Sequence, residues 1–355
     1  MDSFSIQSRW IGEHQVLLVL NGTLDQNGAQ SWHIHTLELL SNTKIETIGL
    51  DFEKLEHISG EGVMLLSIFL AQAAAQNWKV NAVNVSPVLH AVLHLTRLDT
   101  ALHFERPEPT QPVSGERWSD PIQFVDCLHP PLEAINLNVH RRQITSPLYG
   151  FGRMWLRTYR IGLPSPGLTP AEVMAEWCAS FGQFWPPGNS IYPPEGKFFP
   201  GAVCLLNLSL PFGLNLATGA VVIYMDENAF TLMTVQGHMF SGLLNFSAYR
   251  EDERTFAQVS ALIRPNDLIY EVSFWFGFGQ KAEDKFWTQT LQNLGKHFSH
   301  RYAGSPGKIP PVEKNARLIN HFIQWRHFTN IWYNAAIRSA LHQIFSTSRK
   351  NARRI

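Results

Sequence analysis

The stretch EKLEHISGEGVMLL, Glu53 to Leu66, sets a hydroxyl and a carboxylate two positions apart in Ser59-Gly60-Glu61-Gly62, between a strand-like run and an apolar helical run. A serine hydroxyl there can cap the helix that follows. An acid in the first helical turn faces unpaired backbone N–H groups and the helix macrodipole, which stabilise negative charge by about 0.3 to 1 kcal/mol. Ser59 as a plain N-cap and Glu61 as a first-turn acid with no regulatory role is an equally open reading. A second polar group is His238 in VQGHMF, with Tyr224, Asp226 and Tyr249 on neighbouring predicted strands. No diagnostic spacing joins these four, and a single histidine in a strand turn is more often structural than catalytic. His33 and His35 lie two apart on a predicted helix and so face different sides. The chain has no HExxH, and Cys127, Cys178 and Cys204 are isolated, without CxxC spacing. Neither a metal site nor a disulfide framework is expected. The short loops GFGQ and YGFGR lack the context of a dinucleotide fingerprint, and neither a P-loop nor a GxSxG elbow is present. These patterns call for no cofactor and no catalytic residue.

The elements that must position the first group alternate in period. FSIQSRW and HQVLLVLNG read as strands, and LDQNGAQSWHIHTLELLSN as a helix with Asp25 available as its N-cap. KIETIGLDF is a strand, EGVMLLSIFLAQAAAQNW a strongly apolar helix and KVNAVNV a further strand. SPVLHAVLHLTRLDTALHF closes the unit as a helix opened by Ser86 and Pro87. The order ββαβαβα calls for an α/β unit, a mixed sheet covered by helices.

Residues 4–104 resemble the STAS domain, the fold of bacterial anti-sigma factor antagonists. The resemblance rests on LNGTLD at the exit of the second strand, on IGLDFEKLEHISGEGVMLL, and on the closing NVSPVLHAVLHLTRLD. It implies a protein-interaction module whose loop reads Asp-Ser-Ser-Gly, with the second serine phosphorylated by a partner kinase. Aligned on the glycine, Ser59, Gly60, Glu61 and Gly62 fill those four positions. Glu61 then stands where the family carries its phosphorylatable serine, which implies a permanently charged loop. A carboxylate supplies about −1 against about −1.5 to −2 for a phosphate, so the mimicry is partial.

From residue 106 the composition shifts to RPEPTQPVSGERWSDP, a linker, followed to residue 150 by a proline-interrupted arm expected to pack on a second domain. In that second domain, residues 151–303, RMWLRTYRIGL reads as a strand. Thr169 and Pro170 open a helix, with Glu172 in its first turn. AVCLLNLSL, ATGAVVIYMDE, AFTLMTVQGH, GLLNFSAYRED, TFAQVSALIRP and IYEVSFWFGFG then read as an antiparallel meander. AEDKFWTQTLQNLGKHF follows as a long amphipathic helix, with Phe286, Leu291, Leu294 and Phe298 on one side. Over residues 153–300 this order is similar to the α+β helix-grip fold of the START-like (SRPBCC) superfamily, whose curved antiparallel sheet wraps its last helix. The resemblance implies an apolar cavity near Tyr224, His238, Tyr249, Trp275, Phe276, Phe278, Phe286 and Trp287, although the same aromatics could simply fill a core.

Charge is unevenly spread within a formal total of zero. Residues 1–105 hold 5 Lys/Arg against 11 Asp/Glu, and residues 308–355 hold 9 against one. Residues 304–355 read as a basic aromatic helix and tail, with Leu318, Phe322, Trp325, Trp332, Ala336 and Leu341 at helical spacing. Such a segment packs on its own protein, meets an acidic partner or lies on an anionic membrane. The N-terminus lacks a signal-peptide pattern and no apolar run reaches membrane-spanning length, so a cytoplasmic protein is expected. Taken together, these features predict a non-enzymatic cytoplasmic regulator. Its STAS-like module would meet an anti-sigma-like kinase or another protein, and its second domain would hold a hydrophobic small molecule or lipid. A homodimer is compatible with this reading and nucleic acid is not expected. Two alternatives stay open: a START-like hydrolase or cyclase, and a lipid carrier at the membrane surface.

Overall fold

The computed structural model describes residues 4–42, 44–104, 117–127, 130–163, 167–210, 215–303 and 309–352. The linker stretch 105–116 lies outside the described residues. The chain divides into two compact units, Met1–Pro121 with Ile319–Phe322, and Ile122–Leu318 with Ile323–Ile355.

The first unit runs β1 (Ser5–Trp10), β2 (Gln15–Leu24), α1 (Ala29–Leu40), β3 (Thr47–Ile58), α2 (Gly60–Ala75), β4 (Lys79–Val83), α3 (Pro87–Leu95) and β5 (His103–Phe104). Its sheet has the order β1-β2-β3-β4-β5. β1 and β2 are antiparallel, and the pairs from β2 to β5 are parallel. β2 buries Val16, Leu18 and Leu20 by alternation, as a strand with a core face must. α2 is apolar nearly all round and buried along most of its length, as such a helix has to be. Two expectations are corrected. Asp25 does not cap α1: its carboxylate accepts from the N–H groups of Asn27 and Gly28 in a turn just before the helix, and Gly28 takes the cap position. The closing segment is not one helix, because α3 stops at Thr96. Arg97 adopts φ 59°, and Leu98 N–H reaches back to Leu93 O, a left-handed exit that frees the chain to form β5.

The second unit runs β6 (Met154–Gly162), α4 (Pro170–Ala179), β7 (Ser190–Tyr192), β8 (Val203–Ser209), β9 (Asn215–Met225), β10 (Ala229–Thr234), β11 (Phe240–Glu251), β12 (Arg254–Pro265), α5 (Leu268–Trp275), α6 (Phe278–Ala303), β13 (Glu313–Asn320) and α7 (Ala335–Ala352). The sheet order is β13-β6-β12-β11-β10-β9-β8-β7. α4 opens as its sequence predicts: Thr169 Oγ accepts from Glu172 N, and Glu172 returns a carboxylate to Thr169 N. The core is built from α4, α6 and the sheet, with Trp177, Phe181, Phe230, Phe246, Leu291 and Leu294 among its buried members.

The meander is one strand shorter than predicted, because IYEVSFW forms α5. The Asp267 carboxylate accepts from Ile269 N and Tyr270 N and so caps a helix, which buries Glu271 and Phe274 at the helical spacing of three. The C-terminal segment is not one helix either. It divides into edge strand β13, a 3-10 segment Trp325–Tyr333 and α7. Residues 122–152 lie in the second unit, where Ile144 bridges Val235. There the buried Arg264 guanidinium donates to Pro147 O at 3.0 Å and Gly152 O at 2.6 Å.

Candidate functional site

The loop between β3 and α2 is set by local chemistry. Ser59 has extended backbone and is the N-cap of α2, its hydroxyl accepting from Gly62 N at 3.2 Å. Ser59 N–H in turn donates to Leu24 O, at the end of β2, at 3.0 Å. The close approach explains Gly62, where a Cβ would stand 2.2 Å from Leu24 O. Ser59 is 7% exposed, whereas Glu61 is half-buried in the first turn of α2. The arrangement buries the hydroxyl and uses it structurally while a carboxylate occupies the positive end of the helix.

Trp118 adds a contact that the sequence reading missed. Its indole N–H donates to Ile58 O at 3.1 Å, and Trp118 and Ser119 are both buried in the first unit. A tryptophan after a proline-rich stretch was its only signal.

The residues expected around a cavity are dispersed. Tyr224 is fully buried and donates to Asp226 Oδ2 at 2.5 Å, while Asp226 also accepts from the N–H groups of Asn228 and Ala229. His238 is buried beside its own turn, where its Nδ1 lies 3.0 Å from Phe240 N and 3.2 Å from Phe240 O. Burial pushes its pKa down to about 4, so it is uncharged at neutral pH. Tyr249 stacks on Phe256 and accepts from Arg160, whose guanidinium also meets Glu251 and Glu313. Trp287 is in the core, with Phe286 packed against it. Trp275, Phe276 and Phe278 are on the surface, 63%, 71% and 73% exposed. The space between sheet and α6 is occupied by rings: Phe246 lies 4.9 Å from Phe181, 4.8 Å from Phe230 and 5.4 Å from Trp287, centroid to centroid.

A buried charged cluster was also missed. Arg157 on β6 meets Glu283 at 3.2 Å and Asp284 at 2.5 Å on α6, and Tyr159 O–H donates to Asp284 at 2.9 Å. Burial pushes the Glu283 carboxyl up to about 8, against the pull of Arg157. The signal was present, since Glu283 shares the helical stripe of Trp287, Leu291, Leu294 and Phe298, where an acid is unexpected. Among the described residues no group of three or more His, Cys, Asp or Glu could hold a metal ion.

Comparison with known proteins bears on the first unit. The family model described as "Mlab, STAS domain" matches residues 9–104. Those residues form a STAS domain. The expectation drawn over residues 4–104 is met there; in that domain Ser59 caps α2 and Gly60 to Gly62 form its first turn. No curated protein matches the chain. Among solved structures, the anti-sigma factor antagonist SpoIIAA in its unphosphorylated form is similar at 18% identity and TM-score 0.25, covering 29% of this chain and 90% of that one. The Bacillus cell fate determinant SpoIIAA in the phosphorylated form is similar at 20% and 0.26, covering 29% and 92%. The di-domain ARO/CYC StfQ from the steffimycin biosynthetic pathway is similar at 10% and 0.33, covering 43% and 53%.

Proposed function

We propose that the chain is a non-enzymatic, cytoplasmic regulator whose STAS domain is read by a partner protein, of the anti-sigma kinase class or another, through the surface around Glu61. The observation that carries this reading is the division of labour in the loop. The Ser59 hydroxyl is buried as the N-cap of α2, and the carboxylate of Glu61 occupies the first turn where the family resemblance puts a phosphorylatable serine. The charge is then constitutive, and partner binding follows protein abundance instead of kinase activity. The test is intact mass after incubation with ATP and a serine kinase that acts on STAS domains. Wild type keeps its mass, and Glu61→Ser gains a phosphate. Stoichiometric phosphate on Ser59 of the wild type overturns the reading.

For the second unit we propose a helix-grip arrangement, supported by the strand order β6-β12-β11-β10-β9-β8-β7 with the buried stripe of α6 packed on that sheet. An apolar small molecule or lipid is the ligand such an arrangement would hold. It would have to part the rings around Phe246, so occupancy and ring packing compete for one space. Native mass spectrometry of gently purified protein tests this: a releasable adduct of lipid or metabolite mass supports a ligand, and a bare mass assigns the interior to packing. Tyr224 and Asp226 satisfy one another while His238 bonds within its own turn, which favours binding over turnover.

A further inference from the structure

The second unit leaves a broad aromatic and aliphatic surface uncovered, and it is built from two stretches far apart in sequence. On α5 and its exit, Ile269, Val272, Trp275, Phe276 and Phe278 are exposed. On the C-terminal segment, Trp325 and Trp332 are 66% and 77% exposed, followed along α7 by Ile337, Leu341, Ile344 and Phe345. The two stretches are tied together. Asn334 Nδ2 donates to Asp267 Oδ2 at 2.8 Å, and Ala336 N–H donates to the Tyr270 hydroxyl at 3.1 Å. α7 is held from its opposite side, because Ala335 and Ser339 are buried and the Ser339 hydroxyl accepts from Ala217 N on β9. The spacing of Ile337, Leu341, Ile344 and Phe345 therefore forms one outward apolar stripe, with Arg338 and His342 at its margin. Isolated exposed apolar residues need no explanation, but two exposed apolar stretches tied to one another in this way mark an interaction site.

Charge decides among the occupants. The two carboxylates of the α5 region, Asp267 and Glu271, are 0% and 3% exposed, so neither charges the surface. Residues 323–345 contain Arg326 and Arg338, both exposed, and no Asp or Glu. Arg142 lies over the Tyr333 ring at 4.9 Å, and Arg153, over the Trp275 ring at 4.0 Å, is paired with Glu271 at 3.6 Å. A symmetric pairing of two copies through this face would set these cations against one another. Exposed aromatic side chains beside Arg326 and Arg338 match an anionic bilayer instead.

We propose that the α5 and α7 face of the second unit seats on the surface of an anionic lipid membrane, with the side chains of Trp275, Trp332 and Leu341 entering the headgroup boundary and Arg326 and Arg338 meeting lipid phosphates. The membrane is bound peripherally, since among the described residues no helix is long and apolar enough to cross it. This inference is independent of what the STAS loop or the interior of the second unit binds.

The test is flotation of the full chain with phosphatidylcholine vesicles, with and without phosphatidylglycerol. Wild type floats with the anionic vesicles and not with the neutral ones, and the bound fraction falls as salt is raised. The surface pairs Trp275→Ser/Phe276→Ser and Leu341→Ser/Ile344→Ser each weaken partition tenfold or more, with melting curves unchanged. Arg338→Glu weakens it roughly tenfold, as expected for reversing one charge near an anionic surface. Failure of the wild type to float, or flotation insensitive to both pairs, overturns the proposal. So does a concentration-dependent dimer that the same serine substitutions dissolve, because that result gives the face to a second copy.

Discussion

The indole N–H of Trp118 and the carbonyl of Ile58, 3.1 Å apart, join a residue beyond the STAS domain to the last residue of β3, just before the Ser59 cap of α2. Replacing Trp118 by Phe keeps most of the apolar contact and strands a buried acceptor, at a cost of about 1 to 3 kcal/mol. Trp118→Ala adds a cavity and costs about 3 to 5 kcal/mol. Denaturant unfolding of the full chain, followed by exchange of the α2 amides, measures both, and wild-type stability for Trp118→Phe would show that the hydrogen bond contributes nothing.

Gly62→Ala tests how tightly the loop is held. The new methyl would stand 2.2 Å from Leu24 O, a backbone atom that cannot swing aside. The expected result is a loss of several kcal/mol and separation of the β2 end from the start of α2. A melting curve for Gly62→Ala equal to wild type would refute the close packing.

How much of this was legible in the sequence depended on whether the cause was local. Ser59, Ser86 and Thr169 were identifiable as caps because each partner lies within three residues. α5 was not, because its sequence alternates plausibly as a strand. Its helical state rests on Asp267, whose other carboxylate oxygen is held by Asn334 from far along the chain. β13 was not legible either, since six of its eight residues are exposed and no alternation marks it. Pairing with β6 makes it a strand. Around the loop, the N-cap and the acid were readable, but the burial of Ser59 and the reach of Trp118 belong to tertiary packing.

Glu283 makes stability depend on pH. Its folded pKa of about 8 lies above the ordinary 4.5, so the native state binds its proton more tightly. The stabilisation is full below 4.5 and is lost as pH rises through 8. Glu283→Gln should remove this dependence and gain on wild type across that window. Arg157→Met, which strands the carboxylate, should cost about 3 to 5 kcal/mol at the alkaline end and less at the acid end. Melting temperatures over this range check both, and parallel curves for Glu283→Gln and wild type would exclude the mechanism.

His238 acts in the opposite sense. Its folded pKa of about 4 lies below the ordinary 6.5. Its contribution is present above 6.5 and lost as pH falls toward 4, by up to roughly 3 kcal/mol. His238→Asn keeps an acceptor for Phe240 N–H and should flatten the acid limb of the stability curve. An unchanged acid limb would mean that other groups govern acid unfolding.

The membership of Ile319–Phe322 in the first unit has a consequence for biosynthesis. Asn320, in that stretch, donates to Ala71 O at 2.9 Å within the first unit, yet it is translated after the whole stretch 122–318. On the ribosome the first unit can therefore form its sheet early but receives its last stretch only after the chain has passed residue 318. A fragment ending at residue 121 lacks this closing bond, and nascent-chain protease protection should rise in two steps, the second only after residue 322 has emerged.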